Sequence, residues 1–360
     1  RLMESRSLQS FAAPWAHPLR NAGFPAGMTP TGMSALRWWE RRWLPVARRA
    51  AVTVAGALAA AALSSCAPAS DTEAPVRSAL FARVQVIGTR GTGLGQFNKP
   101  RSVAIDSQDR LYVVDMTARV QRFSAAGDYE ACWQMPQTDL GKPKGMCRDE
   151  QGNVVVLEPH YAKVNHFSPA GKLIEQWGRE GTNAGEFYFP RSVAVTPQGA
   201  VYVSEYGRNE RVQLFGRDRT LVRVLGGAGR GPGQFNRPEG VCLDARGQLH
   251  VADSCNHRVQ VFGADGRFLR SYGTPGSGPG EMSYPYDVRV DAAGRQYVCE
   301  FGNSRIQVWG ADGKCLETLG GLGSAPGQLH NPWSIALDSR GNLYVADAMN
   351  HRVQKFVRRI

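Results

Sequence analysis

Six carboxylates in this chain are each followed, four to six residues later, by a cation: Asp115 by Arg119, Glu158 by Lys163, Glu205 by Arg211, Asp253 by Arg258, Glu300 by Arg305 and Asp347 by Arg352. Such an array could supply general acids and bases, or oxygen ligands for a cation. Its recurrence argues for architecture instead. An acid present in every repeat is placed to accept the hydrogen bonds that close a loop, with the cation paired to it or to a neighbouring repeat. Gly-rich stretches at 91–95, 229–233 and 276–280 suggest phosphate cradling. A phosphate loop needs a helix N-terminus behind it, and a strand-like stretch follows each time, so these read as crossovers. The histidines also fall on recurring positions: His250 stands where Tyr202, Tyr297 and Tyr344 stand, His257 and His351 share one slot, and His330 replaces Asn98 or Asn236.

Chemistry is better sought where the repeats disagree. Directly after six spaced prolines come Arg101, Lys144, Arg191, Glu239, Tyr286 and Trp333; the next residues are Ser102, Gly145, Ser192, Gly240, Asp287 and Ser334. Three cations in order face an acid and two aromatics. Arg101, Lys144, Arg191, Glu239, Tyr286, Asp287 and Trp333 are therefore the expected ligand-binding rim, suited to a ligand with anionic and apolar parts. His160, Tyr161, Tyr206 and Phe301, after the strand-end acids, extend it, and Arg148 and Arg289 interrupt otherwise small or apolar slots.

The elements that must position this rim follow from the prolines themselves. Pro100, Pro143, Pro190, Pro238, Pro285 and Pro332 are spaced by 43, 47, 48, 47 and 47 residues. A fixed period of this size marks one supersecondary unit used repeatedly. Each unit holds four runs of five or six residues rich in Val, Leu and aromatics, separated by Gly/Asp/Asn turns, which reads as a four-stranded antiparallel meander. Such a sheet must stack on its copies, and radial stacking gives a β-propeller. The sixth unit ends after its third strand, Arg352–Phe356, and Phe81–Gly88 is available to supply the fourth. The expected fold is all-β, a six-bladed propeller over residues 80–360 with its last blade closed by the N-terminal strand. The crossover from Trp133 to Pro143 is short and leaves a notch in the rim.

The repeat resembles the NHL family through Gly-Gln-Phe-Asn-x-Pro, Leu-Tyr-Val-Ala-Asp (Leu343–Asp347) and Asn-His-Arg-Val-Gln-x-Phe (Asn350–Phe356). The resemblance implies the propeller fold without fixing an activity, since the family includes RNA-binding, protein-binding and sensor domains and a zinc-dependent amidating lyase.

Before the propeller, residues 1–32 read as an upstream segment. From Met33, five arginines precede the 14-residue apolar run Ala50–Leu63 and then Leu63-Ser64-Ser65-Cys66. That order reads as an export signal over 33–66, and its end resembles a bacterial lipobox with Cys66 as the lipidated residue. Ala67 after the cysteine favours the outer membrane facing the periplasm, and 67–79 read as a polar tether. Residues 1–66 hold eight Arg and two Glu, so half of the net charge of +12 belongs to this segment. A mildly basic exported propeller is not expected to bind nucleic acid. Of the cysteines beyond Cys66, Cys147, Cys242 and Cys299 occupy slots filled by Ala elsewhere and read as small buried hydrophobes. Cys132, Cys255 and Cys315 complete the set, with Cys255 and Cys299 the first pair to test for a disulfide.

The expected function is non-catalytic binding of a protein or envelope ligand through the top face, on a lipid-anchored module without a cofactor. The alternative is a metal-dependent hydrolase or lyase with Ca or Zn at the channel mouth, held by Glu239, Asp287 and Glu300, with Arg101 or Arg191 stabilising an anion.

Overall fold

The computed structural model describes residues 73–360. The export segment, Cys66 and the first part of the tether lie outside the described residues. Among the described residues, no helix is long and apolar enough to cross a membrane.

The fourth blade shows how sequence becomes sheet. Pro238–Leu243, Leu249–Asp253, Arg258–Phe262 and Phe268–Tyr272 form an antiparallel meander. Val241 lies opposite Val251, and Leu249 opposite Phe262. The period-2 alternation sends these residues into the packed layers between blades. Blades one, two, three and five repeat this order from Ser102, Met146, Pro190 and Pro285.

Closure occurs as the sequence indicates. Phe81–Ile87 pairs antiparallel with Arg352–Arg358, beside Leu343–Asp347 and Ile335–Leu337, which removes an open joint. The tether ends earlier than expected: Glu73–Pro75 adds a fifth, outermost strand by pairing with Arg83–Gln85. The unpaired edge of Phe81–Ile87 offers backbone partners there, and Glu73 meets Arg83 at 2.9 Å.

Crossovers carry the core aromatics. Phe97 packs on Phe123, Phe187 on Phe215 and Phe235 on Phe262, with ring centroids 5.3–5.6 Å apart. All six rings are buried, each contributing about 1.5–3 kcal/mol of hydrophobic stabilisation. The short 133–143 crossover lacks this Phe; Phe167 keeps only the fourth-strand partner Trp133, at 6.0 Å, the contact that Trp177 makes with Phe215 beside Phe187. All six cysteines among the described residues are free, Cys255 and Cys299 included; Cys242 and Cys299 are buried, whereas Cys147 is half-buried.

Candidate ligand site at the channel mouth

The recurring acids and cations form a clamp. Asp347 accepts the His330 backbone N–H (2.7 Å), Asn350 Nδ2 (2.9 Å), Arg352 Nε (2.8 Å) and Gln354 Nε2 (2.9 Å). Arg352 then donates to the crossover carbonyls of Ser324, Ala325 and Gln328. The clamp ties each crossover to the loop that follows the second strand, and it recurs around Glu205, Asp253 and Glu300. Asp115 holds Arg119 more loosely, at 3.6 Å. The shared histidine slot is structural too: Nδ1 of His351 and of His257 accepts the N–H of Lys99 and of Tyr284, each preceding a proline of the next blade.

With the array assigned to architecture, the post-proline residues remain. Arg101, Lys144, Arg191, Glu239, Tyr286 and Trp333 converge on one depression at the channel mouth, over the layer formed by Ser102, Gly145, Ser192, Gly240, Asp287 and Ser334. That second layer is small for a steric reason. A Cβ on Gly145 would lie 2.6 Å from the Arg191 carbonyl oxygen, and one on Gly240 would lie 2.5 Å from Asp287 Oδ1.

Two different electrostatic halves result. Glu239 is buried and takes a bidentate contact from Arg191, Nε and Nη2 each at 2.6 Å, plus Arg237 Nε at 2.7 Å. Burial opposes ionisation of Glu239, but Arg191 and Arg237 outweigh it and hold the carboxyl below its ordinary value. Arg237 also lies over the rings of Tyr206 (5.2 Å) and Tyr286 (5.6 Å), and Tyr286 stacks on Phe301 with centroids 4.4 Å apart. On the other side, Arg101 and Lys144 pair with no carboxylate among the described residues. Both approach the indole of Trp333, at 4.3 and 4.5 Å from its centroid. Burial, reinforced by Arg191, pulls the Arg101 guanidinium down to about 10. Burial, Arg191 and Arg101 push the Lys144 ammonium well below its usual range.

Asp287 lines the same depression from the second layer, with its oxygens engaged. It is buried and accepts Arg289 Nη1 (2.6 Å), Ser334 Oγ (2.8 Å) and the Ile335 N–H (3.0 Å). Arg289 lines both this depression and the channel beneath, a cavity of about 310 Å³ that Arg148, Cys147 and Cys242 also line. Burial pushes both thiols up to about 12. Arg237 was not among the expected rim residues. It precedes its proline in a left-handed conformation (φ 62°), as do Lys99, Phe189, Tyr284 and Asn331, so the position reads as turn architecture although its side chain turns inward.

A family model described as NHL repeat matches residues 235–262 and 329–356, the fourth and sixth clamps. This chain is a six-bladed β-propeller that carries NHL repeats. The mouse protein "NHL repeat-containing protein 3" is 32% identical over 172 residues, 43% of this chain and 49% of the relative, so the chain spans about half of that relative's length. Among solved structures, a gluconolactonase from Xanthomonas campestris aligns with a TM-score of 0.59 and 14% identity over 77% of this chain and 90% of its own. A streptogramin B lyase aligns with a TM-score of 0.55 and 12% identity over 78% and 98%. At these identities the likeness is one of fold.

The second blade departs from the clamp. Lys163 donates to the Gly178 carbonyl (2.6 Å) and leaves Glu158 without a cation; Asn165 Nδ2 (3.0 Å) reaches one carboxyl oxygen, and Oε1 is buried with no partner. The missing crossover element is the cause, since it supplies the backbone N–H that the other acids accept. Burial therefore raises the Glu158 carboxyl to about 7, from an ordinary 4.5. An acid with a raised folded-state value binds its proton more tightly when folded, so its contribution is fully present below pH 4.5 and is lost as pH rises through about 7. Glu158→Gln is expected to flatten the fall of the thermal midpoint across this window, as read by calorimetry at stepped pH. An unchanged slope would place that proton elsewhere.

Proposed function

We propose that this NHL propeller is a non-catalytic binding module whose ligand, a soluble envelope compound or an acidic group of a partner protein, seats at the channel mouth. The reading includes export and lipid anchoring through Cys66 in a bacterial envelope, at the outer membrane facing the periplasm. Its support is the arginine-rich start, the 14-residue apolar run and Leu63-Ser64-Ser65-Cys66. The observation that carries the binding reading is the convergence of the non-repeating residues, Arg101, Lys144, Arg191, Glu239, Tyr286 and Trp333, on one depression. The clamps explain the repeated polar residues as structure; within the rim set Arg191 and Glu239 satisfy each other, whereas Arg101 and Lys144 pair with no carboxylate among the described residues.

A metal-dependent hydrolase or lyase has less support. Glu239 is held by Arg191 and Arg237, Asp287 by Arg289, and Glu300 by Arg305 (2.7 Å), Asn303 and Gln307. Each would have to give up an arginine to ligate a cation, so these donors do not fit a Ca or Zn site as they stand. Equilibrium dialysis of the full chain against pooled small molecules, with both compartments followed by mass spectrometry, tests the reading. A compound enriched on the protein side, recovered unchanged and no longer enriched by Trp333→Ala is expected. Its conversion to a product would contradict a non-catalytic role.

A further inference from the structure

Three observations on one side of the mouth point to the chemistry of its ligand. First, Arg101 and Lys144 are the two rim cations that no carboxylate neutralises among the described residues, whereas Arg191, in the same repeat position, is held bidentately by Glu239. The one side-chain hydrogen bond of Arg101 runs from Nη2 to Met116 Sδ at 3.6 Å. Second, donors there are unsatisfied: Arg101 Nε and Trp333 Nε1 are buried and reach no acceptor, which is costly unless an acceptor is supplied. Third, both cations approach the same indole, so like charges share one aromatic partner. A cation–π contact contributes about 0.5–2 kcal/mol each and leaves both charges without a counter-ion.

We infer that the NHL channel mouth binds a single oxyanion group, a carboxylate or a phosphate monoester, between Arg101, Lys144 and Trp333. This inference rests on the mouth-binding reading and specifies its ligand class. The donors match the task. An ammonium and a guanidinium flank one indole at the same depression, with Arg101 Nε and Trp333 Nε1 lacking an acceptor among the described residues, and charge-assisted bonds to an anion are the strong ones. Selectivity follows from charge: a neutral amide of the same shape brings N–H groups toward donors and leaves both cations unneutralised. The bound anion also supplies the counter-charge that the Lys144 ammonium lacks. The charged and titratable groups facing Lys144 are Arg101, Arg191 and Arg237, which oppose its protonation, Glu239, which favours it, and His160 from the loop after its blade's second strand. The bound anion should therefore favour the protonated form of Lys144.

Titration calorimetry of the full chain with benzoate, phenyl phosphate and benzamide tests this. One or both anions should bind once per chain, with benzamide at least about 10-fold weaker, and the tighter anion identifies the headgroup. Lys144→Gln should weaken the anion by roughly 10- to 100-fold, the effect of losing one charge-assisted hydrogen bond. Arg101→Gln should act in the same direction. Because Lys144 has no ionic partner to lose, its Gln variant should keep its thermal midpoint, which separates a binding defect from misfolding. Benzoate affinity should weaken as pH rises in wild type, as Lys144 loses its proton, and Lys144→Gln should lose that dependence. Benzamide binding as tightly as benzoate, or full anion affinity in folded Lys144→Gln, would overturn the inference. If neither anion binds while dialysis still retains a neutral compound lost with Trp333→Ala, the oxyanion inference fails and mouth binding stands. If nothing is retained, both fail.

Discussion

Glu239→Gln is expected to lower the thermal unfolding midpoint by roughly 10 °C while tightening oxyanion binding at the mouth several-fold. The stability loss follows from the pairing. Glu239 is buried and shared by Arg191 and Arg237, and removing one partner of a buried ion pair costs about 3–5 kcal/mol because the other charge stays behind unneutralised. For a domain of this size, each kcal/mol shifts the midpoint by about 2–4 °C. The affinity gain follows from the same charge, since Glu239 is the carboxylate among the six post-proline residues and repels any anion drawn to Arg101 and Lys144. Calorimetric unfolding and benzoate titration of one preparation check both. A variant with normal stability would show that the Arg191–Glu239–Arg237 bridge contributes little to the ring.

Asp347→Ala should be the more damaging substitution, because it removes a clamp in the blade that closes the ring. Four donors lose their acceptor at once: the His330 N–H, Asn350, Arg352 and Gln354. The Arg352 guanidinium would remain buried without its carboxylate, at a cost of about 3–5 kcal/mol, and the unpaired amides add to it. The expected result is early loss of the closing strand, seen as rapid hydrogen exchange in Phe81–Ile87 and proteolysis near residue 88 before global unfolding. Glu158→Gln at the equivalent site of the second blade should leave the ring intact, since no cation depends on Glu158. Equal damage from both would refute the clamp as the source of the repeat signature.

The contrast between these two positions also marks what the sequence makes legible. Proline spacing and turn chemistry are local, so blade count, strand order and closure by Phe81–Ile87 follow from the chain alone. The rim is legible for a related reason: a fixed repeat places each post-proline residue at one angular position, so six unlike residues must meet around the channel. Which of them pair is set by side-chain reach between blades, which periodicity does not encode. Arg191 meets Glu239 from 48 residues away, Arg237 enters from a turn position, and Asp287 turns down to Arg289 beneath the rim. The orphaned Glu158 depends likewise on an absent crossover element and not on any residue of its own strand.

The indole N–H of Trp333 offers the most direct reading of the mouth as an oxyanion site, because it is buried, has no acceptor among the described residues and belongs to the ring that both unneutralised cations approach. In the full chain labelled with ¹⁵N-tryptophan, with Trp333→Phe assigning the resonance, benzoate or phenyl phosphate should move this signal downfield in a saturable, one-site titration while benzamide leaves it in place. A Trp333 signal that ignores both anions, or that responds equally to the neutral amide, would contradict the account.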